Sequence, residues 1–178
     1  MSISSTLVDR AEIRFHEAPA ALRAFVGCFW VVTAEAGAMI RVVPDGSAAI
    51  SIQLDDTEVT RWVLRGPLLR PDERRFSRPA VMVGVRLRPG VAFLLSRVAA
   101  HAMVGRRLDV SRIAGFDGLA PRYAPAECLD ALRAFLLRRL DGALVNGLVA
   151  GAVDEIGRGH GCVRVDAIAA RCGSARVT

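Results

Sequence analysis

Two arginines near the middle of the chain have the type and spacing of an anion-binding pair. Arg86 and Arg88 alternate in a segment that predicts a β-strand, so both guanidinium groups would lie on the same face. Each guanidinium can donate paired hydrogen bonds to an anionic small molecule. The alternatives are a solvated strand edge and an ion pair with a carboxylate such as Asp45. Trp30 could also bind a ligand, because small-molecule cavities are mostly apolar, or it could be a core residue.

Motifs for catalysis or metal binding are not found in the sequence. The three histidines, His16, His101 and His160, stand alone, with no His-x-His or His-Glu-x-x-His pattern to hold a metal ion. There is no Gly-x-Ser-x-Gly nucleophile motif and no phosphate-binding Gly-x-x-x-x-Gly-Lys. Asp55 and Asp56 are adjacent, which on a strand would place them on opposite faces, and they are better interpreted as an exposed turn. We therefore expect no enzyme activity, no cofactor and no bound metal.

The composition is that of a folded, positively charged chain. Of the 178 residues, 52% are hydrophobic, and the 24 basic residues that give the formal charge of +6 are all arginine. The charge favours polyanions in general, but no run of five basic residues is present. The four cysteines form no Cys-x-x-Cys pair, which predicts buried, reduced thiols. No signal peptide or long apolar run is found, so we expect a cytoplasmic protein without a membrane partner.

The first part of the chain predicts short strands separated by turns. Aromatic and β-branched residues mark some strands, and alternation of apolar and polar residues marks others as having one wet face. Pro-Asp-Gly at residues 44–46 forms a turn, and a short helical turn opens at Pro19. These signals predict a compact β-barrel that extends to about residue 107. The predicted strands are residues 13–16, 28–33, 39–43, 49–54, 58–64 and 81–87.

The pattern becomes helical after residue 125. Residues 127–140 have acid early, arginine late and one apolar face, as an amphipathic helix does. Residues 143–156 predict a second helix, apolar on most sides, that is either packed centrally or paired with another chain. A glycine-rich linker at residues 157–161 precedes a short helix at residues 165–171. The apolar face of the first helix consists of Leu129, Leu132, Phe135, Leu136 and Leu140.

Three motifs resemble, in order, the sensor domain of a group of AraC-type bacterial transcriptional regulators. They are Leu-Arg-Ala-Phe-Val-Gly-Cys-Phe-Trp at residues 22–30, Val-Val-Pro-Asp-Gly-Ser-Ala-Ala-Ile at residues 42–50, and Gly-Val-Arg-Leu-Arg-Pro-Gly-Val-Ala at residues 84–92. Residues 163–174 are similar to the first helix and turn of a helix-turn-helix, with the small Ala169 followed four positions later by Gly173. Together the four segments extend over nearly the whole chain.

The resemblance implies an α+β protein in three parts. Residues 1–107 would form a cupin-like sensor barrel, residues 108–157 a helical linker or dimerisation region, and residues 158–178 a partial helix-turn-helix domain. The implied partners are a small-molecule effector, DNA in the full-length regulator, and a second copy of the chain. DNA contacts are expected from Arg164, Ser174 and Arg176. The apolar face of the first long helix could contact a partner chain or cover the barrel.

The end of the sequence departs from the AraC-type pattern. Gly173 is followed directly by Ser174, where relatives have an intervening apolar residue, and the recognition helix has at most its first turn before Thr178. Base-specific reading needs that helix, so we expect no sequence-specific DNA binding by these residues alone. Two alternatives stay open. Cupin-like barrels also host metal-dependent enzymes, and the chain could instead be a standalone small-molecule-binding or dimerisation module.

Overall fold

The chain folds into two compact units, residues 1–142 and residues 143–178. The computed structural model describes residues 6–54, 61–114, 116, 119–120, 122 and 124–172. These residues form seven antiparallel strands and five helices, which confirms the predicted α+β class. The functional boundaries predicted at residues 107 and 157 stay predictions.

The first unit is built on one antiparallel sheet. Its order is β1-β2-β6-β3-β4-β7, and β5 pairs with the second half of β2. Because side chains of β5 also bond to β3 and β4, the sheet curls around a cavity. Among the described residues, β1 and β7 end the path and do not pair with each other. The strands are β1 Thr6–His16, β2 Val26–Val42, β3 Ala48–Leu54, β4 Val63–Arg65, β5 Asp72–Arg75, β6 Ala80–Leu87 and β7 Arg107–Asp109.

Strand β2 is one strand of 17 residues where the sequence predicts two. Its middle, Ala-Glu-Ala-Gly-Ala at residues 34–38, carries little apolar signal, yet its flanks pair with β1 over most of their length. Gly37 has a φ of 81°, and Arg10 lies opposite in a bulge with a φ of 54°. The bend lets the first half of β2 pair with β6 and the second half with β5.

Strand β3 confirms the predicted alternation. Ile50 and Ile52 are fully buried on one face, whereas Ala49 and Ser51 are half-buried on the other. The half-buried face lines the cavity, so the predicted wet face points to the interior of the curled sheet. Strand β6 lies at the centre of the sheet, and its Val83 and Val85 are fully buried on the face away from the cavity.

Three helices accompany the sheet: α1 Val91–Ser96, α2 Ala100–Met103 and α3 Pro125–Arg139. Helix α3 matches the predicted helix and packs on β6. Its Phe135 ring lies 5.0 Å from the ring of Phe116, and the guanidinium of Arg133 lies 5.3 Å from the ring of Phe29. The apolar face therefore covers the sheet and is not open to a partner chain. The residues buried in this way are Leu129, Leu132, Phe135, Leu136 and Leu140.

The second unit contains helix α4 Gly147–Arg158 and helix α5 Val165–Arg171. Helix α4 begins later than predicted because the side chain of Asn146 accepts hydrogen bonds from the N–H groups of Leu148 and Val149 and so caps it. The buried carboxylate of Glu155 binds Arg158 and, at 2.9 Å, Arg171. The ion pair between Glu155 and Arg171 joins the two helices.

The four cysteines are free thiols, but they differ in exposure. Cys128 is buried, Cys28 and Cys172 are half-buried, and Cys162 is exposed in the turn after α4. The prediction of a buried thiol is therefore wrong for Cys162. In the part of the chain that the structure describes, no helix combines the length and hydropathy needed to cross a membrane.

Candidate functional site

A cavity of about 190 Å³ lies on the concave face of the sheet in the first unit. Cavities that hold drug-sized ligands are typically about 300–1,000 Å³, so this one suits a smaller molecule. The strand register arranges its walls in three cross-strand rows, one apolar, one aromatic and one charged. Every second residue of a strand faces the cavity, so each strand contributes one side chain to successive rows.

The apolar row is formed by Ile13 of β1, Val32 of β2 and Met82 of β6, which are paired across neighbouring strands. The three residues belong to a hydrophobic cluster that also includes Ile40 and Phe76. Such a wall attracts the hydrocarbon part of a ligand because burial of apolar surface is favourable.

The aromatic row is formed by Phe15, Trp30, Gly84 and Ser51 at one level of four strands. The indole of Trp30 lies across Gly84, where an added Cβ would meet the Cε2 atom of Trp30 at 2.8 Å and the carbonyl oxygen of Ile50 at 2.7 Å. The missing side chain at position 84 therefore lets the indole lie against the sheet as a flat wall of the cavity.

The charged row runs through Cys28, Arg86, Ala49, Arg65 and Arg107 on five neighbouring strands. Arg65 and Arg107 are direct cross-strand partners, so their side chains share the cavity face. The small Ala49 lies between Arg65 and Arg86 in this row. The three arginines of the row define the charged end of the cavity.

Arg86 is held by the Pro-Asp-Gly turn. Its guanidinium forms an ion pair with Asp45 at 2.6 Å and donates a hydrogen bond to the hydroxyl of Ser47 at 3.2 Å. The carboxylate of Asp45 also accepts a hydrogen bond from the backbone N–H of Ser47 at 2.8 Å. The ion pair with Asp45, the predicted alternative to anion binding by Arg86, is therefore present.

Strand β5 adds a fourth cationic side chain, Arg74, to the cavity. Its guanidinium donates to the side-chain oxygen of Gln53 and lies 5.4 Å from the ring centre of Phe76. Asp72, on the same strand, binds Arg65 at 2.6 Å. Burial, followed by the positive charges of Arg107 and Arg65, lowers the pKa of Arg74, while Asp72 acts in the opposite direction.

Arg65 is subject to the same influences in a different order. Burial is the largest and lowers the pKa of Arg65. The carboxylate of Asp72 opposes that effect, and the charge of Arg107 adds to it. Three guanidinium groups, those of Arg65, Arg74 and Arg107, therefore lie close enough to repel one another.

A thiol also lines the charged end of the cavity. Cys28 is half-buried beside Arg86. Burial raises the pKa of Cys28, Arg86 lowers it and Asp45 raises it, so the neutral thiol is the favoured form.

Two of the three predicted ligand-binding residues, Trp30 and Arg86, line this cavity. Arg88 is not among the described residues that line it, because β6 ends at Leu87 and the alternation of faces does not extend to the turn that follows. The half-buried Arg88 donates its backbone N–H to the carbonyl oxygen of Phe25 at 2.8 Å.

Three further arginines of the cavity, Arg65, Arg74 and Arg107, were not predicted from the sequence. Arg65 directly follows the apolar run Trp62, Val63 and Leu64, which indicates a strand but not which face Arg65 occupies. Arg74 lies in Asp-Glu-Arg-Arg, a segment without apolar residues that does not read as a strand. Arg107 is placed only by its pairing with β4, which local sequence does not encode.

The predicted DNA-contacting residues are only partly described. Arg164 precedes α5, is largely exposed and pairs with Asp166 at 2.9 Å. Ser174 and Arg176 lie outside the described residues. The same holds for Asp55 and Asp56, the neighbouring aspartates that were predicted to form an exposed turn. No three His, Cys, Asp or Glu side chains within the described ranges come together as a metal-binding group.

A family model described as a domain of unknown function, DUF6597, matches residues 14–109. This range contains the aromatic and charged rows of the cavity, from Phe15 to Arg107. No match was found among curated proteins or among solved structures. Because the matched range is more than half of the chain, the protein belongs to the DUF6597 family.

Proposed function

We propose that the chain is the effector-sensing portion of an AraC-type DNA-binding transcriptional regulator. The cavity of the first unit binds a small-molecule effector, and the chain acts in the cytoplasm as a binding protein and not as an enzyme. DNA, in the full-length regulator, and a second copy of the chain are its macromolecular partners.

The convergence of the three AraC-like motifs on one cavity carries this proposal. Trp30, from the first motif, lies against Gly84, from the third. Asp45 and Ser47, from the second, bind Arg86, from the third. Motifs that are far apart in sequence thus build one ligand-sized space, which is what a sensor domain needs.

Two further observations support the proposal. The DUF6597 domain is known in AraC-type regulators. The second unit has a short helix, α5, at residues 165–171, where the sequence resembles the first helix of a helix-turn-helix. A sensor followed by such a helix fits the order of parts in an AraC-type regulator.

The cavity offers a physical route from binding to response. A ligand can shift a conformational equilibrium only by binding one state better than the other. Residues of the cavity wall come from both halves of the bent strand β2, namely Trp30 and Ile40. The wall also includes β5, which pairs with the second half of β2 alone. A ligand that bridges these surfaces would favour one degree of bending of the sheet.

Transcript profiling tests the proposal in the cells that make the protein. Strains producing the full-length regulator with the unaltered chain, or the same regulator with Trp30→Ala, are compared with a strain producing neither. We expect the unaltered regulator to change a small, discrete set of transcripts and the variant to lose most of that change. Unchanged transcripts with the unaltered regulator present at its normal level would rule out the regulatory role.

A second candidate function is a dimerisation module. Helix α4 exposes Leu148, Val149 and Ile156, with Leu144 just before it. Exposed apolar clusters of this kind often mark contact surfaces. Light scattering tests this candidate, since a monomer at all concentrations would argue against it.

A further inference from the structure

The charged end of the cavity has more positive than negative side chains, and the excess is localised. Asp45 binds Arg86, and Asp72 binds Arg65. The third lining carboxylate, Glu73, is 3.8 Å from Arg41, which lies outside the cavity. Each lining carboxylate therefore already has a partner.

Two lining arginines have no carboxylate partner among the described residues. Within the described residues, neither Arg74 nor Arg107 forms an ion pair with a carboxylate; Arg74 binds only the neutral side chain of Gln53 and the ring of Phe76. Arg107 faces Arg65 directly across the β4–β7 ladder, and like charges in that position are destabilising. Closely spaced charges that perturb one another in a cavity are typical of functional sites.

The uncharged walls of the cavity indicate the chemistry of the remaining part of the ligand. Next to the charged row lies the indole of Trp30, and beyond it the apolar row of Ile13, Val32 and Met82. The volume of about 190 Å³ leaves room for a small molecule only. A ligand that fits has one anionic end and a compact apolar body.

We propose that Arg74 and Arg107 form an anion-binding subsite, and that the ligand is a small apolar carboxylate whose hydrocarbon part packs against Trp30. A carboxylate matches the planar, paired donors of a guanidinium and relieves the repulsion between Arg107 and Arg65 when it binds. This inference rests on the proposed sensing role of the cavity and names the chemical class of the effector.

Matched pairs of acids and neutral amides test the inference on the full chain. The probes are phenylacetate, 3-phenylpropanoate and hexanoate, each compared with its primary amide. Trp30 reports binding by fluorescence in a Trp62→Phe chain, because these are the only two tryptophans in the sequence. Trp62 is buried and donates to the carbonyl oxygen of Ala120, so calorimetry on the unaltered chain provides a second measurement.

We expect at least one acid to bind roughly ten times more tightly than its amide, as charge-assisted hydrogen bonds predict. Arg74→Gln and Arg107→Gln should each weaken the acid about tenfold and leave the amide unchanged. The controls are the neighbouring Arg75→Gln and Arg106→Gln, whose exposed side chains do not line the cavity and should change affinity less than twofold. If Arg74→Gln does not fold, the exposed Arg107 decides the result.

Several outcomes would overturn the inference. Equal binding of acid and amide would remove the anion subsite while leaving a ligand-binding cavity and the proposed sensing role. An equal loss of affinity for the acid in the Arg75→Gln or Arg106→Gln control would show that the effect comes from the overall charge of the protein and not from the subsite. No binding of any probe in either measurement would also count against it, whereas the transcript comparison decides the regulatory role separately.

Discussion

The indole of Trp30 and the bare Cα of Gly84 are in direct contact, and the ring occupies the space that a side chain at position 84 would need. The contact joins the first and third AraC-like motifs on the cavity wall.

Gly84→Ala should destabilise the first unit. Its Cβ would lie 2.7 Å from the carbonyl oxygen of Ile50, a backbone atom that cannot easily move. Overpacking of this kind costs about 1–3 kcal/mol, measured by denaturant unfolding. The control is Gly27→Ala, where the nearest atom to an added Cβ is 3.6 Å away, and stability should be unchanged or slightly higher. Equal stability of the two variants would contradict the tight contact.

Asp45→Asn should increase affinity for a carboxylate ligand. The change removes the charge that holds Arg86 at 2.6 Å and leaves an oxygen to accept from Ser47. Because the pair is about one third exposed, stability should fall by no more than about 1 kcal/mol. Titration with 3-phenylpropanoate should give several-fold tighter binding than in the native chain. Glu12→Gln, in the exposed pair with Arg14, is the control and should have no effect.

Arg107→Gln should stabilise the fold while it weakens ligand binding. It removes a like-charge cross-strand pair, which should raise the free energy of unfolding by roughly 0.2–1 kcal/mol. A residue kept only for structure would not give opposite effects on stability and affinity. Denaturant unfolding of Arg107→Gln and Arg106→Gln chains measures the difference. A less stable Arg107→Gln chain would show that the guanidinium has a structural role.

Cys28 should react slowly with iodoacetamide near pH 8 and be protected by ligand. Burial raises the pKa of Cys28, so less of it is thiolate than in an ordinary cysteine at any pH below that value. Labelling should accelerate as the pH rises towards the raised pKa, because the thiolate fraction grows. Over the same pH range the folded state loses the stability that it has relative to the unfolded chain while the buried thiol is neutral. Mass spectrometry distinguishes Cys28 from the exposed Cys162, the internal control. A bound carboxylate should slow only Cys28.

Glu155→Gln should loosen helix α5. The buried carboxylate binds Arg171 of α5 at 2.9 Å as well as Arg158. Loss of the charge leaves both arginines without that partner and should cost about 1–3 kcal/mol of local stability. Hydrogen exchange of the amides in residues 165–171 reports it. Arg164→Gln, in an exposed local pair with Asp166, should leave exchange nearly unchanged.

Local sequence was sufficient for elements whose pattern matches their burial. The alternation in residues 49–54 and the apolar face of residues 127–140 both predict the observed β3 and α3. The polar strand β5 was missed because its residues contain no apolar signal, and pairing with β2 alone makes it a strand. The long strand β2 was predicted as two strands because residues 34–38 contain three alanines, a glycine and a glutamate and so lack aromatic and β-branched residues.

The candidate site was predictable only in part, for a geometric reason. Trp30 and Arg86 carry their own signals, as an aromatic residue in a strand and an arginine in a motif. The pairing of Arg65 with Arg107 depends on register between strands that are far apart in sequence. Register is set by the whole sheet and not by the residues beside each arginine.

The position of β6 has a consequence for synthesis on the ribosome. Strands β2 and β3 are made first, and β6 then inserts between them. Until residue 87 has emerged, both strands have an unpaired edge that can pair with another nascent chain. A chain released before residue 80 lacks the strand that joins the two parts of the sheet, and we expect such fragments to aggregate. Production of the protein therefore depends on uninterrupted translation through β6.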